Sequence, residues 1–249
     1  MWTTPSLALI FAVFVLAGLV KGVVGFGLPV VAIAIFAAIH GLTEAIGLML
    51  VPSLATNIWQ AVVGGRLGEL MRRLWPLLAA ICLFIWLASA LLAGADARYL
   101  TGGLGVLLLV YSLVSLATPQ VPPPGRHEPW LSPLIGAVNG TITGLTGTFV
   151  LPAGLYLQAL DLGRNGLVQA MGIVFTVSTA MMGVALTGRS LIAGDVLTLS
   201  AIAVMPAFAG MYLGQRLRQR NPVAAVRQTF FIALAVMAIY LLARAGLAG

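Results

Sequence analysis

The chain has 249 residues, 61% hydrophobic and only 8% charged. Globular domains carry about 25% charged residues, so the composition excludes a solvated globule and makes the lipid bilayer its main partner. The net charge of +7 falls in loops, where it reads as a topology signal and not as a nucleic-acid surface, and the single cysteine, Cys82, excludes an intramolecular disulfide.

In chain order, the first element is an apolar run within 3–39. The leading MWTTP has no basic stretch, so no signal peptide is expected. The run is interrupted by GLVKGVVGFGLP at 18–29, and about ten apolar residues then reach Ile39. Runs long enough to cross a bilayer follow at 44–63, 75–93 and 99–117, since a span needs about 20 residues. A proline-rich polar linker occupies 118–130. Beyond it, 131–160 is broken like 3–39, with pieces 131–143 and 152–160 each too short to cross alone. Further spans are expected at 167–187, 196–214 and 226–243. Trp2, Trp75, Trp86 and Trp130 sit mostly near span ends, as an interfacial belt requires.

The two broken regions match. Gly18, Gly22 and Gly25 recur in register as Gly140, Gly144 and Gly147, and Leu28-Pro29 recurs as Leu151-Pro152. EAIG at 44–47 parallels QAMG at 169–172, and GGR at 64–66 parallels TGR at 187–189. The chain therefore reads as one all-α membrane domain built from two copies, 1–117 and 131–249, around the 118–130 linker. Arg66, Arg72 and Arg73 crowd one loop of copy one, whereas Arg216, Arg218, Arg220 and Arg227 crowd a different loop of copy two. Placing both loops in the cytoplasm inverts one copy relative to the other and makes each broken region a re-entrant hairpin beside three transmembrane helices. Both termini then lie outside.

Backbone that leaves a helix inside lipid must line an enclosed cavity, because its N–H and C=O groups otherwise lack partners. Pro29 and Pro152 suit the first turns of new half-helices, whose positive ends favour an anion. The only lysine, Lys21, adds a full charge, and Thr141, Thr143, Thr146 and Thr148 add hydroxyls. No acidic residue falls in either glycine segment. The expected substrate residues are Lys21, Gly22, Gly25, Phe26 and Gly27 in the first segment. Thr143, Gly144, Thr146, Gly147 and Thr148 are their counterparts in the second. Asn57 and Gln60 share a helix face at i, i+3, while Gln158 and Gln169 supply further polar groups. The competing reading is that Gly18–Gly22 and Gly140–Gly144 are GxxxG pairs for helix packing, and that membrane amides only join helices.

At this point the chain resembles the sulfite exporter (TauE/SafE) family of small bacterial anion transporters. The likeness covers nearly the whole chain and rests on the two glycine segments. It also rests on PSLATNIWQ at 52–60, LPAGLYLQALDLGRNGLVQAMGIVFTVSTAM at 151–181 and PAFAGMYLGQRLRQR at 206–220. It implies export of sulfite, sulfoacetate or a related small organic acid across the inner membrane by a secondary transporter. No cofactor or metal is expected, and a homodimer is left open. An anion channel is the alternative, a membrane assembly factor the lesser one. An intramembrane enzyme is not expected: there is no HExxH or GxSxG, His40 and His127 are far apart in loops, and Asp96, Asp161 and Asp195 also fall in loops.

Overall fold

The computed structural model describes residues 4–117, 122–220 and 223–247. Every regular element among them is helical, as lipid demands of a chain whose backbone polar groups have no water to bond. The helices are α1 (Thr4–Val24), α2 (Leu28–His40), α3 (Leu42–Val62), α4 (Leu67–Gly94) and α5 (Ala97–Ala117). A 3₁₀ turn at Gly125–His127 leads into α6 (Glu128–Thr146). Then come α7 (Ala153–Ala159), α8 (Gly163–Gly188), α9 (Gly194–Ile202), α10 (Val204–Arg220) and α11 (Val223–Leu247). Among the described residues, seven segments are long and apolar enough to cross a membrane.

Three boundaries differ from the sequence reading. The first broken region contains a full span, because Leu7–Val24 is itself long enough to cross. Gly18 and Gly22 stay helical, and the break comes only at Gly25–Gly27. Likewise α6 runs unbroken from Glu128 through Gly136, Gly140 and Gly144, so the last three residues of the expected linker are helical. Its first four residues, 118–121, lie outside the described residues. The expected 196–214 span is two helices meeting at Ala203. Pro206 has no N–H to offer the Ile202 carbonyl, and its ring opposes a continuous helix there.

The helices form two compact units, each with members from both halves of the sequence. The first holds residues 1–52, 96–118 and 192–249, the second residues 53–95 and 119–191. Helix α3 contributes its beginning to one and its end to the other.

In the first unit α1 packs on α10. A Cβ built at Gly18 would lie 2.1 Å from the Ala207 carbonyl oxygen, and one at Gly22 would lie 2.2 Å from that of Met211. The approach is reciprocal, for Gly210 and Gly214 stand as close to the Val15 and Leu19 carbonyls. These are the small-residue contacts that let membrane helices meet backbone to backbone. Phe14 and Phe36 fill the space between α1 and α2, and Tyr111 meets Phe231 edge-on between α5 and α11. Pro52 denies the Leu48 carbonyl its helical partner. Ser200 of α9 replaces it, donating its hydroxyl to that oxygen at 2.8 Å and accepting the Val51 N–H at 3.0 Å.

In the second unit α6 packs on α4 by the same device. Gly136 and Gly140 face the Leu77 and Ile81 carbonyls, and a Cβ at Gly144 would lie 2.7 Å from that of Ala88. Helix α8 is fastened at both ends. Near its start, Gly172 approaches the Ala61 backbone, so that a Cβ there would be 2.5 Å from Ala61 N. Past its end, Arg189 donates to the Trp86 carbonyl at 2.9 Å and to the Ser89 hydroxyl at 3.2 Å, with its guanidinium 5.1 Å from the centre of the Trp86 ring.

Candidate functional site

The first unit holds the α1–α2 turn. Lys21 lies in the last turn of α1 and is only 3% exposed. Its carbonyl accepts the Gly25 N–H at 2.8 Å, which closes α1. Gly25 has φ 95° and Gly27 φ 116°, a region open to glycine at little cost, so the chain reverses within three residues. Gly27 caps α2 without any side-chain hydrogen bond. Among the described residues, the N–H groups of Phe26, Gly27 and Leu28 donate no hydrogen bond, and Pro29 has none to donate. Gly27 through Ile33 are all buried. A buried helix N-terminus with uncapped amides presents partial positive charge and open donors.

The second unit holds the α6–α7 turn, where Thr143, Thr146, Gly147 and Thr148 come together. Gly147 (φ 72°) caps α6 and gives its N–H to the Thr143 carbonyl at 2.8 Å. Thr143 donates its hydroxyl to the Asn139 carbonyl at 2.7 Å, with the Thr148 carbonyl a second acceptor at 3.1 Å. Thr146 donates to the Ile142 carbonyl at 2.8 Å. Its single proton thus spent, the 2.7 Å contact between the Thr146 and Thr148 hydroxyls is made by the proton of Thr148. The hydroxyl protons of this cluster are therefore committed inside the protein. Phe149, packed on Phe175 at 5.0 Å, seals the turn from one side.

The two half-helices differ at their starts. The amides of α2 are open. In α7, Ala153 N–H is taken by the Asn139 side chain at 3.1 Å, Gly154 N–H by the Val150 carbonyl, and those of Leu155 and Tyr156 by the Pro152 carbonyl. The Leu151–Pro152 peptide is cis.

Other expected residues have different surroundings. Gly22 and Gly144 face packed helices, at α10 and α4 respectively. Asn57 is fully buried and donates to the Ser53 hydroxyl one turn back at 3.3 Å. Gln60 and Gln169 tie the end of α3 to α8: Gln60 donates to the Val168 carbonyl at 3.0 Å, and Gln169 donates to the Ala61 carbonyl at 2.7 Å while accepting Arg66 N–H at 3.0 Å. Gln158 is exposed and bonds within its own helix, to Gly154. Asn139 is absent from the sequence reading, although Asn139, Thr143 and Thr146 form a polar i, i+4, i+7 stripe that marks it. Among the described residues no cluster of three or more His, Cys, Asp or Glu is placed to hold a metal ion.

Helices broken at glycines, with buried amides at one break, are features found in many membrane transporters. The sequence matches the model of the sulfite exporter TauE/SafE family over residues 10–241, and the chain belongs to that family. It is thus a multi-pass membrane protein of a family that transports small anions, not of an enzyme family. No curated protein and no solved structure matches the chain.

Proposed function

We propose that this chain is a secondary transporter that exports a small sulfur-containing or organic anion across the bacterial inner membrane. Sulfite, sulfoacetate and related two-carbon acids are the expected cargo. The observation that carries this reading is the α1–α2 turn, where open amides begin a buried helix seven residues after the buried lysine of α1. Backbone N–H groups there match the oxygens of an anion, and a lysine held in a low-dielectric interior is worth retaining where a negative ligand arrives to share it. Within the second unit, the α6–α7 turn with its glycine and threonines is likewise proposed to contact cargo.

The test is Lys21→Ala in purified protein, titrated with sulfite and sulfoacetate. Affinity should fall ten- to hundred-fold, because each 1.4 kcal/mol is a factor of about ten. The protein should remain monodisperse, since removing a membrane lysine relieves about 2.5–3.5 kcal/mol on insertion scales. Unchanged affinity would refute the site. Flux that saturates with substrate marks a carrier, and flux that rises without limit marks a channel.

The proposal extends to orientation: two inverted halves, with both termini external and the 118–130 linker cytoplasmic. In a Cys82→Ser background, single cysteines at Gly125 and Arg220 should resist an impermeant thiol reagent added to intact cells. Labelling of either from outside overturns this arrangement.

A further inference from the structure

Asn139 sits on α6 and is fully buried. Its Oδ1 accepts the Ala153 N–H at 3.1 Å and so fastens the first turn of α7. Its Nδ2 has no hydrogen-bond partner among the described residues. Buried polar groups almost always find partners, because an amide taken from water and left unpaired keeps its whole desolvation penalty. Rotating the amide by half a turn offers no relief. It would set Nδ2 against the Ala153 N–H, donor against donor, so the bond at Oδ1 also fixes which way Nδ2 faces.

The surrounding turn has the same imbalance. The hydroxyl protons of Thr143, Thr146 and Thr148 go to protein oxygens. Among the described residues, the N–H groups of Phe149 and Val150 donate to nothing, and both residues are buried. Residues 139–153 include no carboxylate. Donors without acceptors, in a buried segment without negative charge, call for an acceptor from outside the chain.

We infer that Asn139 is a further substrate residue, whose Nδ2 donates to an oxygen of the transported oxyanion while its Oδ1 holds the α6–α7 turn in shape. The inference rests on the anion-transport reading and adds a specific donor to it. The chemistry recognised is an oxygen bearing negative charge, as in a sulfite, sulfonate or carboxylate. The bland alternative is a resident water that satisfies Nδ2 and never leaves.

Asn139→Asp separates these roles. The carboxylate keeps the shape and the acceptor that caps α7, but it replaces the donor with an oxygen that repels an oxyanion. Detergent-purified wild type and Asn139→Asp are titrated with sodium sulfite and sulfoacetate by calorimetry, and their melting temperatures compared. The variant should melt below wild type, because a carboxylate at a fully buried position is costly, and its folded fraction should bind at least tenfold more weakly, the scale of one lost hydrogen bond to a charged group. Equal affinity in the two proteins overturns this inference and leaves the anion-transport reading standing. Absence of binding by wild type overturns both. A second measurement needs no variant at Asn139. The chain has four asparagines, Asn57, Asn139, Asn165 and Asn221, so ¹⁵N-asparagine labelling yields a short set of side-chain amide signals, assigned by replacing the other three in turn. The Asn139 signal should shift on titration with a bound anion. If it stays fixed while the protein binds sulfite, a resident water is the correct account.

Discussion

Gly22 and Gly25 are three residues apart in one glycine-rich segment, yet their surroundings predict opposite failures. A Cβ at Gly22 would lie 2.2 Å from Met211 O, 2.8 Å from Gln215 N and 2.9 Å from Gly214 Cα. All three atoms are backbone, so no side-chain rotation relieves the clash. Ordinary contact begins near 3.5 Å, and α1 and α10 must separate by about 1 Å to accept one methyl group. Overpacking costs about 1–3 kcal/mol, and the upper end applies because separation also breaks the reciprocal contacts of Gly210 and Gly214. At about 2–4 °C per kcal/mol for a chain of this size, Gly22→Ala should melt roughly 6–12 °C below wild type. Gly25 has nothing within 4 Å of a built Cβ, but its φ is 95°. Gly25→Ala therefore bears only the cost of a left-handed backbone, about 1–2 kcal/mol, and relieves it by reshaping the turn that aims the Phe26, Gly27 and Leu28 amides. The assay is thermal unfolding in detergent, followed by size-exclusion with tryptophan detection, beside sulfite affinity at 25 °C. Gly22→Ala should lose stability and keep the affinity of its folded fraction, and Gly25→Ala should lose affinity more than stability. A Gly22→Ala protein as stable as wild type would refute the backbone contact between α1 and α10.

Two further outcomes follow from charge. Arg73 holds Glu128 through bonds of 2.6 and 2.8 Å and keeps its carboxyl below the usual carboxylate range. The stabilisation is thus present above the unfolded carboxylate value near 4.3 and fades as pH falls through the lower folded value. Both groups are partly exposed, so Glu128→Gln should cost about 0.2–1 kcal/mol at pH 7 and nothing near pH 2; melts across pH test this, and a gap that persists in acid refutes it. A monoanion leaving a negative interior gains about 2.3 kcal/mol per 100 mV, roughly a 50-fold gradient, and no acidic residue lies in either glycine segment to relay protons. Flux in liposomes should follow membrane potential; flux that follows a pH gradient but ignores potential sinks electrogenic uniport.

Much of the fold was legible because hydropathy and helix length report on the same thing, the thickness of the bilayer. The starts and stops were harder. Helix α4 begins at Leu67, well before the expected 75, because Leu70 and Leu74 are buried while Arg72 and Arg73 stay on its exposed side. The letters of 18–29 announce a special segment, but they do not say which glycine packs and which turns. That depends on α10, far along the chain, and on the Ala207 and Met211 carbonyls it presents. Gln60 and Gln169 read as polar groups available to cargo, while their hydrogen bonds fasten α3 to α8. Asn139 was hidden for the converse reason, since one asparagine in a glycine- and threonine-rich helix has no conspicuous pattern until a single end of its amide is found engaged.

The glycine seam between α1 and α10 also bears on how the molecule comes to exist. Gly18 waits for Ala207, about 190 residues later, and synthesis at 5–20 residues per second makes that a delay of roughly 10–40 seconds. The partner of α6 is already in place when α6 emerges, because α4 precedes it. Through the interval α1 has a lysine and a bare strip of backbone facing lipid or whatever protein shelters it. Helix α1 thus precedes α10 in synthesis but is satisfied only after it, and a ribosome that stalls before α10 leaves behind a chain with an open seam for the cell's quality control to recognise.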